Sequence, residues 1–434
     1  GYAIIPNHKY IFDDKEIDML RKTWLFVSIA LILFISASFS SAIAAEKLIV
    51  GIWDSNQQPG IQKILDEWTA VSGIEAETQV TTWNEYWTVL EAGASGGTLP
   101  DVFWMHSNVS QKYMENGILL DLTDRIAKSE GIKLENYYAD IVDLYSYDGK
   151  HYAIPKDIDT IGLWYNKTYF DEAGLDYPDE SWTWETLREA AKKLTREDGS
   201  VYGYAINTSN NQDSYYNLIY SYGGSVISDD KKTSKMDDPK TIEAMEVVEG
   251  MIQDGSVPDL QTLSENGTQV LFESGKVAMV TQGSWMVPAF RDNEYTAANC
   301  DVAVLPSGPE SRVSIYNGLG WAADANGKNP DAAWSLIEYL GTKEAQLRQA
   351  ELGVTMSAYK GTSDAWKNSV PGFDLQAYLD MLDAKLVIRP YSRNTTVWET
   401  MVQQDLGPVW TGDKTMAEAL KEIAAKMDAI LAEE

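Results

Sequence analysis

The sequence predicts an α/β protein of two lobes, on three observations. Apolar strand-like runs alternate with amphipathic stretches between Lys47 and Met105, the length of 434 residues suits two or three domains, and no Pro- or Ser-rich linker or fixed-period repeat divides the chain into independent beads. Taken in order, Arg21-Lys22 precede an apolar run from Trp24 to Ile35, and small residues follow at Ser41–Ala45. A basic start, an apolar centre and an Ala-x-Ala site describe an export signal. Residues 1–45 therefore read as a leader, with Met19 as the start and residues 1–18 upstream of it. The run is shorter than the roughly 20 apolar residues of a membrane span. No cysteine stands near the cleavage site to carry a lipid.

Lys47–Trp53 reads as a strand. Ile61, Ile64, Leu65 and Trp68 then fall at i, i+3, i+4 and i+7, a helical stripe that Gly73 ends. Ile74, Ala76, Thr78 and Val80 alternate as a second strand, Trp83–Ala92 reads as a helix before a Gly93–Gly97 loop, and Pro100–Met105 is a third strand. Strands joined through helices in this way take right-handed crossovers and pair in parallel. Downstream, Thr183 caps a helix to Leu194, and further helices are expected at Thr241–Gln253, Pro330–Leu340 and Thr342–Ala350. A Thr415…Glu418 capping box opens a last helix ending at Leu431. Asp229–Asp238 reads as a solvated turn.

Composition narrows the function. The chain carries 35 Lys+Arg against 65 Asp+Glu, a net charge of −30, which argues against nucleic acid and against anionic membrane surfaces. One cysteine, Cys300, and three histidines, His8, His106 and His151, leave little for disulfides, zinc or Ser-His catalysis. Dinucleotide, P-loop and His-Glu-x-x-His patterns do not occur. No cofactor and no metal are expected. Beyond the leader only 5 Phe stand against 22 Tyr and 14 Trp, a skew toward aromatics with a polar tip that suits half-wet binding surfaces.

The candidate site residues are carboxylates and amides beside aromatics. Trp53, Asp54 and Gln57 follow the first strand and Ser107-Asn108 follow the third, at the carboxyl ends where open α/β sheets bind ligands. Asp157 and Asp159 stand between short apolar strands; Trp285, Trp321, Arg393 and Trp398 lie in or beside later turns. Carboxylates and amides pair with sugar hydroxyls, and an aromatic face suits the C–H face of a sugar ring. Read singly, each Trp is equally a core residue, and Asp157 and Asp159 a strand-end pair facing backbone or water.

The stretch Tyr152-Ala-Ile-Pro-Lys-Asp157-Ile-Asp159-Thr160, continued by Leu163–Lys167 and Phe170–Gly174, resembles extracellular solute-binding protein family 1, the maltose-binding-protein-like receptors of ABC sugar importers. Leu99–Phe103, Trp182–Leu187, Phe272–Trp285 and Asn317–Leu340 are similar to the family in the same order. The resemblance implies a type II periplasmic-binding-protein fold, two α/β lobes joined by a three-crossover hinge. It places 46–158 and 311–365 in an N-terminal lobe and 159–310 and 366–434 in a C-terminal lobe. It adds Asn211, Asp213 and Asn317 to the ligand set, makes Asp159 a hydroxyl binder near the hinge, and makes Trp285 and Trp398 cleft tryptophans. Ser107-Asn108 stand where the maltose binder has Asp and Arg, which argues against maltose itself.

The implied function is a non-enzymatic exported receptor, in the periplasm or on the outer face of the cytoplasmic membrane. It would be a monomer that binds a carbohydrate and no nucleic acid, and delivers its ligand to the transmembrane subunits of an ABC permease. The alternatives are an extracytoplasmic glycoside hydrolase using Asp54 and Asp159, or a receptor for another solute such as a glycerol phosphate ester.

Overall fold

A computed structural model describes residues 47–209 and 211–434. The export-signal reading of residues 1–45 lies outside the described residues. The strands are β1 (Leu48–Ile52), β2 (Ala76–Val80), β3 (Val102–Met105), β4 (Ser146–Tyr147), β5 (Lys150–His151), β6 (Ala153–Pro155), β7 (Ile161–Asn166), β8 (Tyr202–Ala205), β9 (Val277–Gly283), β10 (Cys300–Ala303), β11 (Val313–Tyr316), β12 (Gly320–Ala323) and β13 (Lys385–Ile388). They build two main sheets, ordered β2-β1-β3-β12-β6 and β10-β7-β9-β8.

In the first sheet β1 lies parallel to β2 and β3, as expected of strands joined through helices, while β12 runs antiparallel between β3 and β6. The helix Gln58–Ser72 buries its stripe of Ile61, Ile64, Leu65 and Trp68, and Gly73 ends it with φ of 74°. The expected Gly93–Gly97 loop is instead mostly helix: Trp83–Gly96 is continuous and Gly97 caps it. Gly93 stays helical because it packs on Leu99, whose side chain would lie 3.2 Å from an added Cβ. The remaining expected helices form at Trp184–Leu194, Pro239–Gln253, Pro330–Gly341 and Lys343–Glu351, and the capping box at Met416–Leu431 is complete. Among the described residues no helix is long and apolar enough to cross a membrane.

The second sheet pairs β7 antiparallel to β9 and β10, with β8 parallel to β9. Its core centres on Trp164, which packs edge-on to Phe290 and Phe373 and donates to the Tyr378 hydroxyl at 2.6 Å. Fully buried indoles recur throughout: Trp68, Trp104, Trp164, Trp321, Trp366 and Trp398. The tryptophan-rich composition therefore serves the cores to a large extent, since an indole fills volume as Phe does and also offers an N–H.

The chain passes between the sheets at three places, and the three segments lie side by side. The Lys156 N–H donates to Leu319 O at 2.8 Å, the Asp159 N–H to Asn317 O at 3.0 Å, and the Ile158 N–H to Met356 O at 3.1 Å. Gly318 is required here, because a Cβ would sit 2.2 Å from the Asp157 carbonyl oxygen. Short hydrogen-bonded crossings of this kind concentrate any lobe movement into a few backbone torsions. The stretch 311–316, assigned from sequence to the first lobe, pairs through β11 with β13 and packs on the second lobe's helix Tyr215–Ser221.

Candidate functional site

On the first lobe the site is built at the carboxyl ends of β1 and β3. Trp53 is half-buried and meets Trp83 and Tyr86 edge-on at 5.0 Å between ring centroids, and Trp104 at 4.9 Å. Trp83 remains 39 % exposed, so its ring is supported from behind and open in front. Asp54 accepts from the Asn56 N–H at 2.8 Å and from Gln57 Nε2 at 2.9 Å. After β3, His106 caps the helix Ser107–Glu115, its Nδ1 accepting from the Asn108 N–H at 3.1 Å. That bond requires an unprotonated Nδ1, and burial together with the nearby Arg389 holds the imidazole well below its usual pKa. Ser107 and Asn108 are thus the first turn of a helix, and both are buried.

The hinge contributes Asp159 and Asn317. Asp159 Oδ1 accepts from the Asn317 N–H at 2.9 Å and from Gln212 Nε2 at 2.5 Å. Burial, then the charge of Asp157, push its carboxyl well above the usual carboxylate range. The Asn317 side-chain amide lies 3.1 Å from His106 Nε2, which joins the hinge to the first lobe.

The second lobe closes the belt. Asn211 and Asp213 lie buried in the turn before the helix Tyr215–Ser221. Asn211 Nδ2 is 3.3 Å from the Tyr216 hydroxyl, which donates to Glu399 at 3.2 Å. Glu399 holds Arg389 in a fork, at 2.7 and 2.9 Å, and Arg389 Nη1 reaches across to Asn108 Oδ1 of the first lobe. Asp213 accepts from Asn207 at 3.3 Å, and burial raises its carboxyl to about 8.

Polar atoms in this belt remain buried without a hydrogen-bonding partner: Ser107 Oγ, the end of the Asn317 side-chain amide turned away from His106, Asn211 Oδ1, Asp213 Oδ1, Ser284 Oγ and Arg389 Nε. Such atoms are costly in isolation, at roughly 1–3 kcal/mol each. Those named here lie where the two lobes and the hinge meet, and a polar ligand placed there would supply partners for them.

The structure departs from several of the sequence-based assignments. Trp321 faces Trp104 across the β12–β3 pair, only 1 % exposed, and is core. Trp398 is also in the core, fully buried with its N–H donating to Ser392 Oγ at 2.9 Å. Arg393 lies at the surface, paired with Glu115 at 2.9 Å; the buried arginine of the belt is Arg389, four positions earlier. Asp157 and Gln57 are committed to Lys156, at 2.6 and 3.0 Å, rather than open to a ligand. Trp285 is half-buried, its indole folded over Gly283, where a Cβ would lie 2.0 Å away.

Arg389, Glu399, Lys156 and Trp83, which the structure places in or beside this region, are not among the residues expected from the sequence. Lys156 stands inside the motif stretch beside Asp157, and Trp83 and Trp87 share one helix face, so those two signals existed. Nothing local separates Arg389 from the other arginines.

Three comparisons with known proteins bear on the family and the fold. A family model described as bacterial extracellular solute-binding protein matches residues 54–347. A relative in Brucella abortus (strain 2308) is 26 % identical over 415 residues, covering 92 % of this chain and 96 % of that one. The maltotriose-binding protein of Pyrococcus abyssi is 25 % identical over 317 residues, 70 % of this chain and 64 % of that one. Among solved structures, an ABC substrate-binding protein from Listeria monocytogenes in complex with cycloalternan superposes with a TM-score of 0.82 at 23 % identity, covering 89 % of this chain and 99 % of that one. That likeness establishes the fold, two α/β lobes on a three-segment hinge.

Proposed function

The chain belongs to the bacterial extracellular solute-binding proteins, and we propose that it captures a carbohydrate between its lobes and delivers it to the transmembrane subunits of an ABC permease. The family is one of binding proteins rather than enzymes, which favours the receptor over the hydrolase. One observation carries the reading: unpartnered buried polar atoms come from the first lobe (Ser107), the hinge (Asn317) and the second lobe (Asn211, Asp213, Arg389). A polyol touching all three is bound more tightly by the closed arrangement than by an open one, so it shifts the population toward closure. The open front of Trp83 gives the C–H face of a sugar ring a stacking platform. Ser107, Asn108, Asp159, Asn211, Asp213 and Asn317 are then the hydroxyl partners, with Asp54 and Trp285 at the margins. The receptor works outside the cytoplasm, on the periplasmic or outer face of the membrane.

The test is thermal-shift and calorimetric screening against neutral oligosaccharides including maltotriose and cycloalternan, because a ligand that binds only the folded state raises its melting temperature. Micromolar or tighter binding to at least one sugar is expected. A flat response across the panel would remove the carbohydrate from the proposal.

A further inference from the structure

Lys156 is a fully buried lysine outside the unpartnered belt, and every face of its ammonium is used. Nζ donates to Gln57 Oε1 at 3.0 Å and to Asp157 Oδ2 at 2.6 Å, and it stands 4.4 Å from the centroid of the Trp104 ring. The two hydrogen-bonding partners lead in different directions. Asp157 Oδ1 accepts from the Leu319 N–H at 2.7 Å, and its Oδ2 accepts from Thr355 Oγ1 at 3.5 Å, so one carboxylate holds both returning hinge segments against the outgoing one. Gln57 donates from Nε2 to Asp54 Oδ2 at 2.9 Å, on the first-lobe loop beside Trp53.

The polarity of this chain of contacts is forced. An ammonium has only donors, so the Gln57 amide must turn its oxygen to Lys156 and its NH2 to Asp54. The Asp54 carboxylate, fixed by Gln57 on one oxygen and by the Asn56 N–H on the other, keeps its remaining lone pairs outward. With an apolar residue at 156 the Gln57 oxygen loses its donor, and the Asp54 carboxylate alone is left to hold the amide in place.

We propose that Lys156 is a positioning residue: through Gln57 it orients the Asp54 carboxylate, and through Asp157 it ties that orientation to the three segments of the hinge. Ligand contact at the Asp54 loop and the angle between the lobes are then read by one buried charge. The binding half of this proposal rests on the carbohydrate reading above; the hinge half does not.

The experiment uses the full chain with nitroxide labels at Val71→Cys and Val270→Cys, exposed positions on the first and second lobes, while native Cys300 is buried. Lobe separation is read by pulsed electron paramagnetic resonance without sugar, and affinity by calorimetry with maltotriose and cycloalternan. Lys156→Met with Asp157→Asn removes both charges together, so no unpaired charge is buried. The pair is expected to broaden the distance distribution at least twofold and to weaken sugar binding tenfold or more. Gln57→Glu keeps an acceptor for Lys156 and removes the donor to Asp54. It is expected to leave the distances as in the parent and to weaken binding to a similar degree. An unchanged distance distribution in the paired variant, or parental affinity in Gln57→Glu, overturns the proposal. If the parent binds neither sugar, the carbohydrate reading loses its support for these ligands, and the label distances still decide the coupling.

Discussion

Two groups of buried titratable side chains meet at the hinge, and they are built on opposite plans. Around Lys156 and Asp157 each charged atom has a partner: glutamine, carboxylate, indole face, backbone N–H. Around Asp159, Asp213 and Arg389 the partners run short, and Asp213 Oδ1 and Arg389 Nε face nothing that bonds them. Both groups are desolvated, so the difference is not one of burial. A saturated cluster holds its surroundings in one geometry, whereas an unsaturated one leaves free energy to be recovered when a ligand supplies the missing donors and acceptors. On the proposed function, the first group would serve the hinge and the second the ligand.

That contrast can be broken in three ways. The largest effect should come from the saturated group. Asp157→Ala leaves the Lys156 ammonium buried without its counter-charge, a change that costs about 3–5 kcal/mol. Urea unfolding would register it, and a loss below about 1 kcal/mol would mean that water replaces the carboxylate and that the group is not a closed unit.

The second effect lies in the pH dependence. The Asp213 carboxyl is raised by burial to about 8 in the folded protein, against about 3.9 for an unfolded chain. Between those values the native state keeps a proton that the unfolded chain has released, so stability is fully present below about pH 4 and is lost as pH rises toward 8. Asp213→Asn should flatten that slope and raise the melting temperature at pH 8 by about 2 °C or more. A melting curve series from pH 5 to pH 8.5 decides it, and parallel slopes in parent and variant would place the proton elsewhere.

The smallest effect is also the most diagnostic. Ser107 Oγ is buried without a partner, so Ser107→Ala should stabilise the sugar-free protein by about 1 kcal/mol while weakening sugar binding severalfold. Stability and affinity moving together, in either direction, would erase the distinction between the two groups.

The unequal legibility of these regions in the sequence has a common cause. Local patterns carry local structure: the Ile61–Trp68 stripe, the Gly73 cap and the Thr415–Glu418 box follow from turn geometry within a few residues, and each forms where expected. The Gly93–Gly97 stretch misleads for the complementary reason, because packing of Gly93 on Leu99 overrides the weak helix preference of glycine. For single side chains the sequence is silent on direction. Trp83 and Trp398 are the same residue, each in the first turn of a helix, yet one is 39 % exposed above the first lobe and the other is fully closed inside the second.

The alternation of apolar strands and amphipathic helices, the acidic charge and the five family-like segments were sufficient by themselves for an α/β, two-lobed, solute-binding chain. The α/β class rests on periodicity and composition, which are carried along the chain; the hinged two-lobe fold and the solute-binding reading rest on the segments that resemble the family. Whether Arg389 or Arg393 faces the belt, whether Asp157 serves a ligand or a lysine, and which polar atoms stay unpaired were decided only when segments far apart in sequence were brought together. Pairing is a property of distance in space: Arg389 meets Asn108 across 281 positions of chain, and Lys156 meets Gln57 across 99.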